Sequence, residues 1–430
     1  MVIWWKAGRT DIPVQSPYMN FKFRSLGVKA IQKDTEFLKV NYAGALILLA
    51  CILGGGTPQG LWTDHLIQIA MIPAILIGLT GVFRNRLGAG ANILAVGILF
   101  VLTLQFVPFS PPRDLIDPIG VPSAFEFWTL SPSRSLESAA FLGAVLGFGM
   151  FVGTLEETSQ KRLIRFVFLG LAINLVVGII QLSFSGRTNV GNVFPFVIKS
   201  ALFANENHFS SFVFAIIPII AWQLLTASKR LVFFIAVSSL VVAILFAVGS
   251  RAGMAISAGL SIFSLFWFLL PDKKVIPRLA LFAISAIILV ISDFGIALEA
   301  DLRSVFFKNT MAAISNYWKF GTGLGTFPII YPQYESTNEV IRVFANHAHN
   351  DYLEIFLETG MLGVLLLLGF LALTARSFLE SPLAQAAGLS ILAVLFHSGI
   401  DYPLRTMAIA TLFATFSAIA FSRPKTNEQT

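Results

Sequence analysis

The chain has little charge, a single cysteine and few histidines. Only 12% of its 430 residues are Asp, Glu, Lys or Arg; a soluble domain carries about a quarter, so an ordinary soluble globular protein is excluded. Cys51, alone, rules out an intramolecular disulfide and the usual clustered zinc ligands. It lies in an apolar run and reads as a small buried hydrophobe. No ATP-binding loop, dinucleotide-binding turn, heptad repeat or convincing internal repeat is present. The stretch from Met1 to Lys39 is polar and basic, and too long before the first apolar run for a cleavable signal peptide. The net charge of +7 does not point to nucleic acid, because the positive residues flank apolar segments.

What the chain has in abundance is hydrophobic sequence, at 56%. Apolar runs close to the ~20 residues that cross a bilayer recur from Asn41 to Phe421. Continuous runs, not short alternating strands, exclude a membrane barrel. The expected fold is therefore all-α: a polytopic membrane protein of about twelve transmembrane helices. The spans fall near 40–56, 65–83, 87–107, 136–154, 166–184, 209–227, 231–249, 254–270, 279–297, 351–375, 383–400 and 406–422. Short connectors carrying Arg84/Arg86, Lys161/Arg162, Lys229/Arg230 and Lys273/Lys274 all fall on one side, which the positive-inside rule makes cytoplasmic. The expectation is N-in and C-in, with a cytoplasmic segment at 1–39, one membrane domain at 40–422 and a cytoplasmic tail at 423–430. Three long loops, about 108–135, 185–208 and 298–350, then lie on the opposite side. In the fourth span Gly143/Gly147 and Gly149/Gly153 have the spacing of a close helix contact.

Four polar clusters fall on that loop-bearing face. In His347-Ala348-His349-Asn350-Asp351, Asn350 or Asp351 suits a helix cap. Capping does not explain two histidines. A metal pair is one reading, although a bare H-x-H lacks further ligands at a known spacing. A neutral imidazole acting as general base is more economical. Glu354 and Glu358 share a helical face; Glu354 is placed to reach the interface, and Glu358, a turn deeper, to meet an arginine or a polar cavity. Gly360 and Gly363 fit tight helix packing.

The second cluster is Gly249-Ser250-Arg251-Ala252-Gly253. Arg251 there is either an arginine snorkelling to the interface or a planar fork that small neighbours leave open to phosphate. The third runs from Lys199 to His208, where Asn205 and Asn207 are caps or hold a sugar or a loop; Lys199 and Arg187 add cations to that loop. The fourth is His397 to Arg405, in which Asp401 and Arg405 form a structural ion pair or contact substrate. Cations and a histidine around one outward cavity suit an anionic, lipid-linked substrate with a hydroxyl to be deprotonated.

The residues resemble those of the O-antigen ligase and polymerase family, the bacterial Wzy- and WaaL-like membrane glycosyltransferases. His349-Asn350-Asp351-Tyr352-Leu353 with Glu358-Thr359-Gly360 and Gly363 resembles its HN-x-YL…E-x-G-x-x-G signature. Ser250-Arg251-Ala252-Gly253 resembles its SR-x-G element, and Gly321 to Phe327 is similar to its glycine-rich element. Asn205-Glu206-Asn207-His208-Phe209 is close to its N-x-N element, and HSGIDYPLR resembles a signature of exopolysaccharide-type members. The resemblance implies a GT-C-like fold in the bacterial inner membrane, with the active site facing the periplasm. It also implies glycan transfer from an undecaprenyl-diphosphate-linked donor to an acceptor hydroxyl on a glycan or on lipid A-core, in O-antigen or exopolysaccharide assembly. No cofactor or metal is expected. His349 would be the base and Arg251 would hold or stabilise the diphosphate. The second phosphate ligand stays open between Lys199, Arg187 and Arg405. Further substrate contacts are expected among Asn205, Asn207, Asn350, Tyr352, Glu358, His347 and Asp401. Membrane lipids and the two substrates are the expected partners; a transporter or flippase of anionic substrates is the alternative.

Overall fold

The computed structural model describes residues 18–58, 60–83, 88–111, 127–183, 200–227, 229–269, 302–338 and 345–422; of residues 18–33 only the helical path is described. Among the described residues all regular structure is helical. The main helices are α1 (Tyr18–Leu53), α2 (Trp62–Phe83), α3 (Ala89–Leu104), α4 (Pro132–Gly153), α5 (Glu157–Ser183) and α6 (Glu206–Ala221). They continue with α7 (Leu231–Val248), α8 (Arg251–Leu269), α9 (Leu302–Tyr317), α10 (Asp351–Ser377), α11 (Pro382–Ser398) and α12 (Met407–Phe421). Eight of these are long and apolar enough to cross a membrane: α2, α4, α5, α6 with its continuation to Thr226, α7, α8, α10, and α1 from Asp34. The protein is an integral membrane protein.

The twelve expected spans are matched in part among the described residues. Eight match helices of crossing length, and the stretch 279–297 lies outside the described residues. The remaining three, α3, α11 and α12, are apolar but only 16, 17 and 15 residues long. At 1.5 Å per residue they fall short of a ~30 Å hydrocarbon core. For α11 and α12 the shortness has a use. Their connecting turn is sunk into the protein, with Asp401 and Thr406 fully buried and Tyr402 nearly so.

Burial separates the helices by role. Every residue of α6 from His208 to Ala221 is buried, so α6 is the central helix. α7 is as apolar but presents Val232, Phe233, Ile235, Leu240 and Phe246 outward, as a helix apolar on all sides does when lipid replaces water. In α4, Gly147 packs against Ile75 of α2, and Gly78 of α2 approaches the Gly147 carbonyl; side chains there would clash at 2.5–2.6 Å. The expected glycine contact is real at Gly147, while Gly143 has nothing closer than 3.9 Å.

The expected loop at 298–350 contains an element that hydropathy does not reveal. In α9, Phe306, Asn309, Thr310, Ala313, Ile314 and Tyr317 are buried, a spacing of three and four residues that marks one helical face. α9 leads into a turn at Gly321–Gly325 that docks on α10. There Gly360 adopts φ 61° and breaks the helix. The carbonyls of Leu357 and Glu358, released by the break, accept from Thr322 N and Gly323 N at 2.9 Å each. A Cβ on Gly321 would stand 2.4 Å from the Glu358 carbonyl, so glycine at 321 allows the approach and glycine at 360 allows the break.

Candidate active site

Asn350 is the N-cap of α10: its Oδ1 accepts from Tyr352 N at 3.0 Å and Leu353 N at 3.1 Å. Its Nδ2 donates to the Gly399 carbonyl at 2.7 Å, which fixes the start of α10 to the end of α11. Of the two expected cap candidates, Asn350 caps and Asp351 does not. Immediately before the cap, His349 has φ 50°. That left-handed conformation is uncommon outside glycine and costs on the order of 1–3 kcal/mol. The bend sends the two histidines to different partners.

His347 turns into the protein. Its Nδ1 lies 2.9 Å from Glu354 Oε1, and Glu354 Oε2 accepts from Ala348 N at 3.1 Å. Glu354 also meets Arg405 NH2 at 3.3 Å, and the same guanidinium reaches Glu358 Oε2 at 3.5 Å and Asp351 Oδ1 at 3.6 Å. Asp351 Oδ2 accepts from Ser398 Oγ at 2.8 Å. One arginine therefore sits among three buried carboxylates from successive turns of α10. Two expectations change here. Glu354 does not reach the interface but is buried, and Arg405 pairs with Asp351, Glu354 and Glu358 instead of Asp401. Glu358 meets an arginine as expected.

His349 meets Asp401. The imidazole is a quarter exposed and its Nδ1 stands 3.4 Å from Asp401 Oδ1. Phe306 of α9 stacks on the ring at 5.4 Å and 9°, and Tyr402 meets it edge-on at 4.8 Å. Asp401 is fully buried and also receives His208 Nε2 at 3.8 Å and Arg303 at 3.9 Å. Neither His349 Nδ1 nor Asp401 Oδ2 is aligned for a hydrogen bond, so these are close charge contacts rather than saturated bonds. Burial alone would push the Asp401 carboxyl up; the contacts from His208 and His349 outweigh it and hold the group well below the usual carboxylate range. An anionic Asp401 beside Nδ1 favours the tautomer with the proton on that nitrogen, leaving Nε2 to accept another. Loose contacts of this kind are common in unliganded sites.

Tyr402 joins the two halves. Its ring lies 4.5 Å from His347, 4.8 Å from His349 and 4.8 Å from His208. The fourth histidine in this region, His397, is held by Ser211 of α6 through Nδ1 at 2.7 Å.

The residue before Arg251 is linked to the start of α6. Gly249 ends α7 with φ 98°. Ser250 Oγ then accepts from Gly253 N at 3.2 Å and donates to Asn207 Oδ1 at 2.9 Å. Asn207 precedes His208, and Asn205 caps α6 by accepting from Asn207 N. The expected caps are thus one cap, Asn205, and one inter-helix clip, Asn207. Arg251 itself, the first residue of α8, is exposed and has no partner among the described residues. Tyr352 is anchored through its hydroxyl to the Leu395 carbonyl at 2.6 Å. Lys199 and Arg187 lie outside the described residues. Among the described residues no cluster of three or more His, Cys, Asp and Glu has a metal-holding arrangement.

A cavity of about 1470 Å³ lies behind the site, walled by α2, α3, α4, α10 and α12. His347, Asp351, Glu358 and Arg405 line it at the site end, and Gln160, Glu380 and Ser422 at the other; His349 and Arg251 are not part of its wall.

Residues 201–368 match a family model described as O-antigen ligase. That segment is similar to the O-antigen ligase family over less than half of the chain. No curated protein sequence matches the chain. The O-antigen ligase segment contains Asn207, Arg251, Arg303, Phe306 and His349, but Asp401 and Arg405 lie beyond it. The match points to a glycosyl-transferring enzyme with a role in O-antigen assembly, set in a membrane. His208, Arg303, Phe306 and Tyr402 were not singled out from sequence as site residues. The periodicity of α9 is the signal that finds Phe306 and, at its start, Arg303; nothing local marks His208 or Tyr402.

Proposed function

We propose that the protein transfers a glycan from an undecaprenyl-diphosphate-linked donor to an acceptor hydroxyl on the periplasmic side of the bacterial inner membrane. The observation that carries this reading is the pairing of a strained, partly exposed His349 with buried Asp401. Arg303 stands at the edge of the pair, and Arg251, exposed at the start of α8 and without a partner among the described residues, follows Ser250, which bonds to Asn207 of α6. His349 Nε2 takes the proton of the acceptor hydroxyl, and the acceptor oxygen forms a bond to the anomeric carbon as the bond from that carbon to the phosphate oxygen breaks. The electron pair leaves with undecaprenyl diphosphate, whose developing charge Arg251 and Arg303 stabilise. Fixed guanidinium groups can supply that stabilisation without a metal. Asp401 holds the imidazolium that forms. Polymerase and ligase reactions share this chemistry and differ in the acceptor, a second lipid-linked glycan or lipid A-core.

The test is transfer by the purified protein in nanodiscs, with an undecaprenyl-diphosphate oligosaccharide and candidate acceptors. His349→Ala and Arg251→Ala should each abolish transfer while the protein remains folded, and a chelator should leave the wild type unaffected. Full transfer by both variants would sink the assignment. A second reading, translocation of an anionic lipid-linked substrate, is favoured by one observation: polar residues line the cavity at both ends. Movement of glycan across liposomes without bond formation would support it in place of transfer.

A further inference from the structure

The cavity behind the site differs in charge from the face on which His349 lies. The wall carries Asp64 from the first turn of α2 and Glu137 from the first turns of α4, together with Asp351 and Glu358 of α10. Among the described residues, Arg405 is the only lysine or arginine in the wall, and it is already shared by three carboxylates. Asp64 is 4% exposed, lines the cavity, and its Oδ1 has no hydrogen-bond partner. Asp351 also lines the cavity, and its buried Oδ1 lacks a hydrogen bond, with the arginine Nε at 3.6 Å. A buried carboxylate oxygen without a donor is unfavourable unless a ligand or water supplies one.

This wall repels phosphate and welcomes donors. A sugar offers several hydroxyl donors at once, and a carboxylate can accept two of them. We propose that Asp64, with Glu137 and Gln68 beside it, forms a subsite for uncharged, hydroxyl-bearing sugar residues of the acceptor. The diphosphate of the donor is confined to the arginine face. The proposal rests on the glycan-transfer reading for the word acceptor; the neutral-sugar preference stands on the cavity itself. Asp64 lies outside the segment shared with the O-antigen ligase family, as suits a residue that selects an acceptor instead of performing the common chemistry.

The first measurement needs no variant and no transfer activity. Binding of a neutral alkyl maltoside to the full chain in nanodiscs is compared with that of an alkyl phosphate of the same chain length. The maltoside should bind at least about tenfold more tightly, and Asp64→Asn should weaken it by roughly tenfold with a smaller loss in Glu137→Gln. Equal or tighter binding of the phosphate, or an Asp64→Asn protein that binds maltoside like the wild type, overturns the subsite. The second measurement is steady-state transfer, in which Asp64→Asn should raise the acceptor KM and leave the donor KM unchanged. A raised donor KM alone also overturns the proposal. If the wild type transfers no glycan at all, the functional reading fails while the binding comparison still decides the subsite.

Discussion

His347 and His349 are two residues apart, touch the same tyrosine ring, and have opposite fates. His347 is buried, bonded to Glu354 at 2.9 Å and tied through it to Arg405 and α10. His349 is a quarter exposed, held in a left-handed turn, and faced by a carboxylate 3.4 Å away without an aligned bond. The first imidazole is hydrogen-bonded and the second is left short. Buried polar groups in scaffolds normally satisfy one another, whereas groups awaiting a substrate remain incompletely paired and perturbed. The contrast separates positioning from chemistry within a single pentapeptide.

The strongest way to break this division is Arg405→Met. It leaves Asp351, Glu354 and Glu358 buried without their cation, which should cost about 3–5 kcal/mol. The variant should show a sharply lower melting temperature in nanodiscs, or fail to accumulate. A normal melting temperature would mean that the three carboxylates do not depend on the arginine. Next comes His349→Ala, for which loss of a general base predicts a 10²- to 10⁴-fold drop in transfer with melting little changed. His347→Ala should show the reverse: about 1–3 kcal/mol of lost stability from the missing hydrogen bond to buried Glu354, with transfer per folded molecule within a few-fold of the wild type. Similar effects of the two alanines on both readouts would erase the distinction.

The smallest effect concerns pH. Asp401 has a folded pKa below its unfolded one. Its contribution is therefore complete above the ordinary aspartate value of about 4 and is lost as pH falls through the lowered folded value. The stability difference between wild type and Asp401→Asn should stay constant from pH 5 to 8 and shrink below about pH 4. A difference that shrinks between pH 7 and 5 would mean that Asp401 is not held low.

The legible parts of this molecule were local ones. The cap at Asn350, the glycine end of α7 before Arg251 and the histidine at the mouth of α10 are written in neighbouring residues, as is the apolar character of the bundle. Span number was less legible, because hydropathy registers an apolar run without measuring how far its helix extends: α11 and α12 are only 17 and 15 residues long, and α1 begins at Tyr18, well before its apolar part. The partnership of Asp401 was not legible at all. It requires the recessed turn between α11 and α12, the start of α6 and the start of α9 to converge, and no spacing within any one of them encodes that meeting. Arg405 beside Asp401 invited the short-range pairing, but the carboxylate ladder on α10 offers the arginine three anions instead of one.

The break at Gly360 makes α10 two struts joined end to end. The upper strut carries Asn350, Glu354 and Glu358 and is fastened crosswise to the glycine-rich turn, to α11 and to Arg405. The lower strut, from Met361 to Ser377, carries the lipid-facing leucines Leu365 and Leu368. Because Thr322 N and Gly323 N bond to the carbonyls at the break, the glycine-rich turn, and not helical continuity alone, sets where the upper strut stands.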